Sequence, residues 1–300
     1  MRCPQQERVS RSGNIAPALV LTPNLSQVSV LSESDRTEVL AFLKKRPVHT
    51  VVMTSFIHDN GMESELNRGS YYGFRNRLDE LEGVALIGHS TLVEARTEEA
   101  LKALGFQARM STFPIHLIMS TGNDANKFWN YLNGDQRKPA LVCTELLFET
   151  SFPFPVQKCE FDLRPAVAGE LFAVATAHAE VAEIESRVNP MTKDREGFLM
   201  RVMRRIEQGR VLVAFDGNEL VFKADIIAKT DETAYIEGVY VGEKFRGRGV
   251  GSKCLSRLCL DLLGSVENVC LLSNAEFEKA HRSYLKAGLR HTDSCTTLFV

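Results

Sequence analysis

The sequence is poor in the residue clusters that build metal sites and disulfide frameworks. Its seven cysteines (Cys3, Cys143, Cys159, Cys254, Cys259, Cys270, Cys295) are scattered and never stand as CxxC, and no HxH, HExxH or His–Cys cluster occurs. An odd number of cysteines without framework spacing argues against a disulfide scaffold or a zinc site and for a reducing cytoplasm, so no metal is expected. Charge of one sign is also lacking: 36 Lys and Arg against 38 Asp and Glu leave a net −2. With no global positive field, neither nucleic acid nor an anionic membrane surface is an expected partner. No apolar run approaches the roughly 18–20 residues of a membrane span. Residues 1–24 hold early arginines but only a short apolar patch broken by Pro17, and they read as a flexible leader, not a signal peptide.

What is present is room and periodicity. The chain has 300 residues, 44% hydrophobic and 25% charged, which suits a globular protein with two cores. QVSVLSESD (27–35) reads as a short strand running into helix-capping residues, and RTEVLAFLKKR as a helix closed by Pro47. GSYYGFRN (69–76), GVALIGHSTLVEA (83–95), IHLIMST (115–121) and ALVCTELLFET (140–150) read as strands, interleaved with the helices TEEALKALGF and NDANKFWNYLNG. SFPFP (151–155) is the best linker.

Beyond the linker, CEFDLRPA (159–166) reads as a strand, VAGELFAVATAHAEVAEIES and KDREGFLMRVMRRIEQG as helices, and VLVAFDGNELVFKADIIAKTDETAYIEGVYV as a three-stranded meander. A glycine-rich loop, a helix, the strand NVCLLSN, the helix AEFEKAHRSYLKAG and the strand SCTTLFV complete the chain. The expected fold is α/β (α+β), with a mixed, largely antiparallel central sheet flanked by helices. Its expected organisation is a leader (1–24), an accessory or degenerate domain (25–155) and a catalytic domain (156–300).

The chemistry concentrates in VYVGEKFRGRGVGSKCL (239–255), where Gly247, Gly249 and Gly251 alternate with Arg248 after Arg246. A P-loop needs its lysine directly after the last glycine, but Ser252 intervenes before Lys253, and no glycine stands five before Gly251. The dinucleotide fingerprint would need a glycine at 252. An arginine–glycine nucleic-acid segment would be longer and unflanked by strand and helix. Backbone N–H groups freed by glycine, at the start of a helix and beside two arginines, suit a pyrophosphate.

The spacing Arg246-x-x-Gly249-x-Gly251, together with the preceding meander and a later helix carrying Ala280, Tyr284, Gly288 and Leu289, resembles the GCN5-related N-acetyltransferases (GNAT). The resemblance covers roughly residues 157–300. It implies that acetyl-CoA is the co-substrate, held by Val239, Tyr240 and Val241 along its pantetheine arm and by Arg246, Gly247, Arg248, Gly249, Val250, Gly251 and Ser252 at its pyrophosphate. It implies that Tyr284 protonates the leaving thiolate. Glu237 is the candidate base, since period-two alternation puts it on one face with Tyr235, Val239 and Val241. Asn274 stands either at the pantetheine or as the cap of the following helix. Glu183, Glu185 and Arg187 fall where an acceptor would bind, whereas His281 reads as a surface residue and Cys254 and Cys259 as buried small hydrophobes. The 25–155 half lacks the loop, so the whole resembles bacterial two-domain GNAT proteins with a degenerate first domain. The expected activity is direct transfer of acetyl to a primary amine, on a small molecule or a peptide, with no metal, nucleic acid or membrane involved. A non-catalytic acyl-CoA sensor or a nucleotide-binding module is the alternative.

Overall fold

In the computed structural model, which describes residues 25–134, 136–153 and 155–300, two similar successions of strands and helices follow one another. The leader lies outside the described residues. The first half runs β1 (Val28–Val30), α1 (Arg36–Leu43), α2 (Pro47–Asn60), β2 (Gly69–Arg75), β3 (Leu81–Gly88), β4 (Ser90–Ala95), α3 (Glu98–Arg109), β5 (Leu117–Thr121), α4 (Asp124–Asn133) and β6 (Leu141–Thr150). The second runs β7 (Arg164–Pro165), α5 (Leu171–Ser186), α6 (Pro190–Lys193), α7 (Arg195–Glu207), β8 (Val211–Asp216), β9 (Glu219–Lys229), β10 (Thr233–Val241), α8 (Val250–Leu263), β11 (Asn268–Asn274), α9 (Glu278–Ala287) and β12 (Arg290–Phe299).

Local signals explain most boundaries. Thr97 caps α3 by accepting from the Ala100 N–H, with Glu98 and Glu99 at the positive end of the helix. Gly134 closes α4 and Gly288 closes α9, both in the left-handed region. Three expectations need correction. Pro47 does not close a helix; it opens α2, because its missing N–H falls where a first-turn donor has no intrahelical partner. The stretch 83–95 is two strands, β3 and β4, paired antiparallel. Within 159–166 only Arg164 and Pro165 form a strand.

Among the described residues the twelve strands form one sheet, ordered β1-β2-β3-β4-β5-β12-β6-β11-β10-β9-β8-β7. Most neighbours are antiparallel, and two pairs are parallel, β4 with β5 and β10 with β11. The halves interlock at the centre: β6, from the first half, lies between β11 and β12, while β12, from the second, lies between β5 and β6. Each half thus completes its sheet with the other's last strand. Helix α8 covers the second half through Val250, Cys254, Leu255, Leu258, Cys259 and Leu262, packed on Phe222, Ala224, Ala234 and Ile236. Cys254 and Cys259 are buried there as expected. Helices α3 and α4 cover the first half on the Phe74, Ala85, Ile87 and Ile118 face.

Candidate functional site

The site begins where two parallel strands part. β10 pairs with β11 only from Thr233 opposite Asn268 to Ile236 opposite Leu271. From Glu237 onward β10 leaves its neighbour, while Leu272, Ser273 and Asn274 stay paired to β6. A cleft of about 500 Å³ lies on the α8 side of this split, lined by Val239, Val241, the loop residues 245–247 and 249–252 and the Lys279–Lys286 face of α9.

The loop has the conformation its glycines permit. Gly247 and Gly249 have φ of +76° and +77°, which other residues rarely adopt. Gly251 lets α8 approach β10, since a Cβ there would stand 2.9 Å from Val241 Cγ2. The first turn of α8 aims N–H groups without intrahelical partners at the cleft, and Ser252 Oγ donates back to the Gly249 carbonyl at 2.9 Å. Four cations line the cleft, Arg246, Lys279, Arg282 and Lys286, and no acid does. By charge and by dipole the cleft suits an anion. Arg246 is oriented from behind, donating to the Val241 carbonyl at 2.8 Å and to Glu180 at 2.7 Å. Arg248 is exposed and stands outside the cleft lining.

A β-bulge decides which side each strand residue faces. Glu237 pairs with Asp225 and Tyr240 with Lys223, so Gly238 and Val239 together oppose Ala224. The expected common face for Tyr235, Glu237, Val239 and Val241 is therefore wrong. Tyr235 and Glu237 share one face, joined by a hydrogen bond from the Tyr235 hydroxyl to Glu237 Oε1 at 2.7 Å. Val239 and Val241 turn to the α8 side and line the cleft. Tyr240 falls with Glu237, its ring beneath the Arg246 guanidinium.

Across the split is a second chamber of about 180 Å³, lined by Cys143 and Glu145 of β6, Ala182 and Glu185 of α5, Leu272, Ser273 and Asn274 of β11, and Thr297 and Phe299 of β12. It is acidic. Burial raises the Glu145 carboxyl pKa against a hydrogen bond from Thr297, with the Glu237 charge adding to the rise. Glu185, partly open to solvent, is pushed up to about 7 by desolvation of its carboxyl and by the charges of Glu237 and Glu145. Three carboxylates from three elements thus face one another around the split. Tyr284 links the two spaces. It lines the cleft, its hydroxyl bonds the Ser273 side chain of the chamber, and burial raises its pKa to about 12. Its ring packs edge-on against Phe148 at 5.5 Å.

Other expected residues fall differently. Asn274 lines the chamber, and its side chain accepts from the Glu276 N–H at 2.9 Å, which makes it a turn former one step ahead of α9 and not the helix cap. His281 is not a surface residue: half-buried, its Nε2 lies 3.0 Å from the Asn274 carbonyl and its ring tilts on Phe148. Of the α5 candidates only Glu185 reaches the chamber. Glu183 accepts from Asn189, and Arg187 ends the helix with φ +58°. Glu145, Ser273 and Thr297 escaped the sequence reading. The one available signal was a carboxylate in the apolar strand ALVCTELLFET.

The first half repeats the parallel pair but seals it. Ser120 Oγ donates to the Val93 carbonyl at 2.8 Å across the strands. Glu94, 3% exposed, is held by Arg46 at 3.1 Å and Arg96 at 2.9 Å. β4 passes into α3 through Arg96 and Thr97 alone, with two glutamates in the first turn, so neither the loop nor its charge is present. Among the described residues no group of three His, Cys, Asp or Glu side chains could hold a metal ion, and no helix is long and apolar enough to cross a membrane.

Comparison with known proteins agrees with this geometry. The acetyltransferase (GNAT) domain family matches residues 207–290, which include the meander, loop, α8 and α9. No curated protein sequence matches the chain. Among solved structures, a Drosophila protein superposes with a TM-score of 0.65 at 13% identity, over 91% of this chain and 98% of its own. A GCN5-related N-acetyltransferase from Sphaerobacter thermophilus gives 0.56 at 15% identity, over 90% of this chain and 94% of its own. A tandem GNAT protein from the clavulanic acid biosynthesis pathway gives 0.56 at 12%, over 91% of this chain and 97% of its own. Residues 207–290 match the acetyltransferase (GNAT) domain family, and across 91% of the chain the fold is similar to that of a tandem GNAT protein.

Proposed function

We propose that this protein is an acetyl-CoA-dependent N-acetyltransferase that moves the acetyl group directly to a primary amine in a ternary complex. The observation that carries the reading is the split between β10 and β11, at which a cationic cleft and an acidic chamber meet beside Tyr284. The pyrophosphate lies against the loop N–H groups, with Arg246, Lys279, Arg282 and Lys286 neutralising its charge. The pantetheine arm runs along Val239–Val241 and delivers the thioester to the split.

The acceptor enters from the chamber, where Glu145, Glu185 and Glu237 attract it as an ammonium ion. Glu237 takes a proton from nitrogen, directly or through a water, and the neutral amine attacks the thioester carbonyl carbon. The C–N bond forms as the C–S bond breaks, and Tyr284, protonated at neutral pH because its pKa lies near 12, donates its proton to the departing sulfur. The second proton that the nitrogen sheds on becoming an amide passes through solvent to restore the Tyr284 hydroxyl. At about 180 Å³ the chamber suits a small amine or the end of a side chain. The first half supplies Glu145 to the site, and among its described residues the loop has no counterpart. Cytoplasmic residence is part of the proposal, supported by free thiols at Cys143, Cys159, Cys254, Cys259, Cys270 and Cys295.

The test is release of CoA from acetyl-CoA across a panel of amines, with Glu237→Gln as control. Amine-dependent release that falls in the variant is expected. Tight CoA binding without release on any amine would leave the chain an acyl-CoA sensor.

A further inference from the structure

Beneath the bulge of β10 lies a buried ionic group that the proposed chemistry does not use. Lys223, 0% exposed, and Asp225, 1% exposed, project from β9 toward α5 and α7. Lys223 Nζ donates to Asp225 Oδ2 at 2.7 Å and to the Gly238 carbonyl at 3.3 Å. His178 Nδ1 of α5 lies 3.1 Å from the same carboxylate oxygen and 3.3 Å from the ammonium, and Arg205 of α7 lies 3.6 Å from that oxygen. Replacing such a pair by apolar side chains is often neutral for stability, so the need to fold gives it no obvious purpose.

Its placement does. Gly238 is the residue at which β10 changes face, with φ +57°. A Cβ there would stand 2.7 Å from Lys223 Nζ, so the ammonium occupies the space that glycine leaves open. Glu237 on one side of Gly238 points to the acceptor side, and Val239 on the other lines the cleft. A single peptide therefore sets both the base and the first pantetheine-facing residue. Its carbonyl is held by a lysine whose own direction is fixed by Asp225, itself braced by His178 and Arg205.

We infer that Lys223 is a positioning residue, clamped by Asp225, that fixes the Gly238 bulge and thereby aligns the thioester with Glu237. This rests on the functional reading above, but the clamp has a readout that does not.

Lys223→Met alone leaves a buried carboxylate without its cation and is expected to fold poorly. The informative protein is the full chain with Lys223→Met and Asp225→Leu together, beside Gly238→Ala. In the double variant we expect one cooperative unfolding transition and amide exchange faster by about tenfold or more, confined to peptides spanning 236–242. Affinity for CoA, measured by calorimetry, falls about fivefold. With an active amine, kcat falls about tenfold or more and KM for acetyl-CoA rises. KM for the amine rises less than KM for acetyl-CoA, because β6, α5, β11 and β12 build the chamber lining and β10 adds only Glu237 at its edge. Unchanged exchange at 236–242 in a folded double variant overturns the clamp, whether or not the wild type turns over. Amine KM rising in step with acetyl-CoA KM also overturns it, by showing general loosening. If the wild type neither binds CoA nor releases it, the functional reading fails while exchange still decides the clamp.

Discussion

Tyr284→Phe is the sharpest single perturbation of the proposed chemistry, because it removes one oxygen and little else. The ring keeps its edge contact with Phe148, centroid to centroid at 5.5 Å, and its place on the Val239–Lys286 cleft. The one bond lost is to the Ser273 side chain, worth about 1 kcal/mol of stability. Catalysis should suffer far more. A positioned acid that protonates a leaving group contributes about 10²–10⁴ in rate, or about 2.7–5.5 kcal/mol of barrier. Burial holds the hydroxyl at a pKa of about 12, so the wild type retains its proton throughout the neutral range. The deficit should therefore be flat between about pH 6 and pH 9. Steady-state release of CoA, followed with a thiol reagent, gives kcat and both KM values. We expect kcat to fall at least about a hundredfold, with KM for acetyl-CoA nearly unchanged. A folded Tyr284→Phe variant with kcat within about threefold of wild type would refute the assignment of Tyr284 as the acid.

Three further outcomes follow from the geometry. Arg282→Ala should weaken CoA binding by about three- to tenfold at low salt, and the difference should shrink as salt rises, because the cleft is open to solvent; calorimetry at two ionic strengths checks this. Glu185 carries a folded pKa near 7 against 4.5 when unfolded, so the folded state binds the extra proton and the wild type loses stability as pH rises from about 5 to 7. Glu185→Gln lacks that loss, so its melting temperature should gain on wild type from pH 5 to pH 8, and parallel curves would contradict the acidic chamber. Finally, the 156–300 fragment lacks β6, the strand between β11 and β12, and should be unfolded or aggregated by circular dichroism until a peptide covering 136–155 is supplied.

Much of the site could be read in the sequence because its parts are local. The loop is a run of glycines and arginines whose conformation depends on its own residues, and the meander and α9 flank it at short range. What could not be read is set by long-range contacts. The face of Glu237 depends on one extra residue in β10, and nothing in TAYIEGVYV except Gly238 marks the bulge that breaks the alternation. Glu145 lies about ninety residues before Glu237 in the chain and reaches the site only because β6 crosses into the second half's sheet. Pro47 misled because proline both ends and begins helices, and PVHTVVMTSFIHDN has a β-branched composition that hides a helix covering the sheet. The missing loop of the first half is legible in the sequence, but the contacts of Arg46 and Arg96 with Glu94 are tertiary.

The proposed reaction requires that the thioester and an amine meet at the split. The most direct measurement is mass-spectrometric detection of the acetylated amine when the full chain is incubated with acetyl-CoA and a panel of small amines and lysine-bearing peptides. We expect an acetylated product formed in equal amount to released CoA, and strongly reduced in both Tyr284→Phe and Glu237→Gln. CoA bound tightly with no acetylated product from any amine would contradict it.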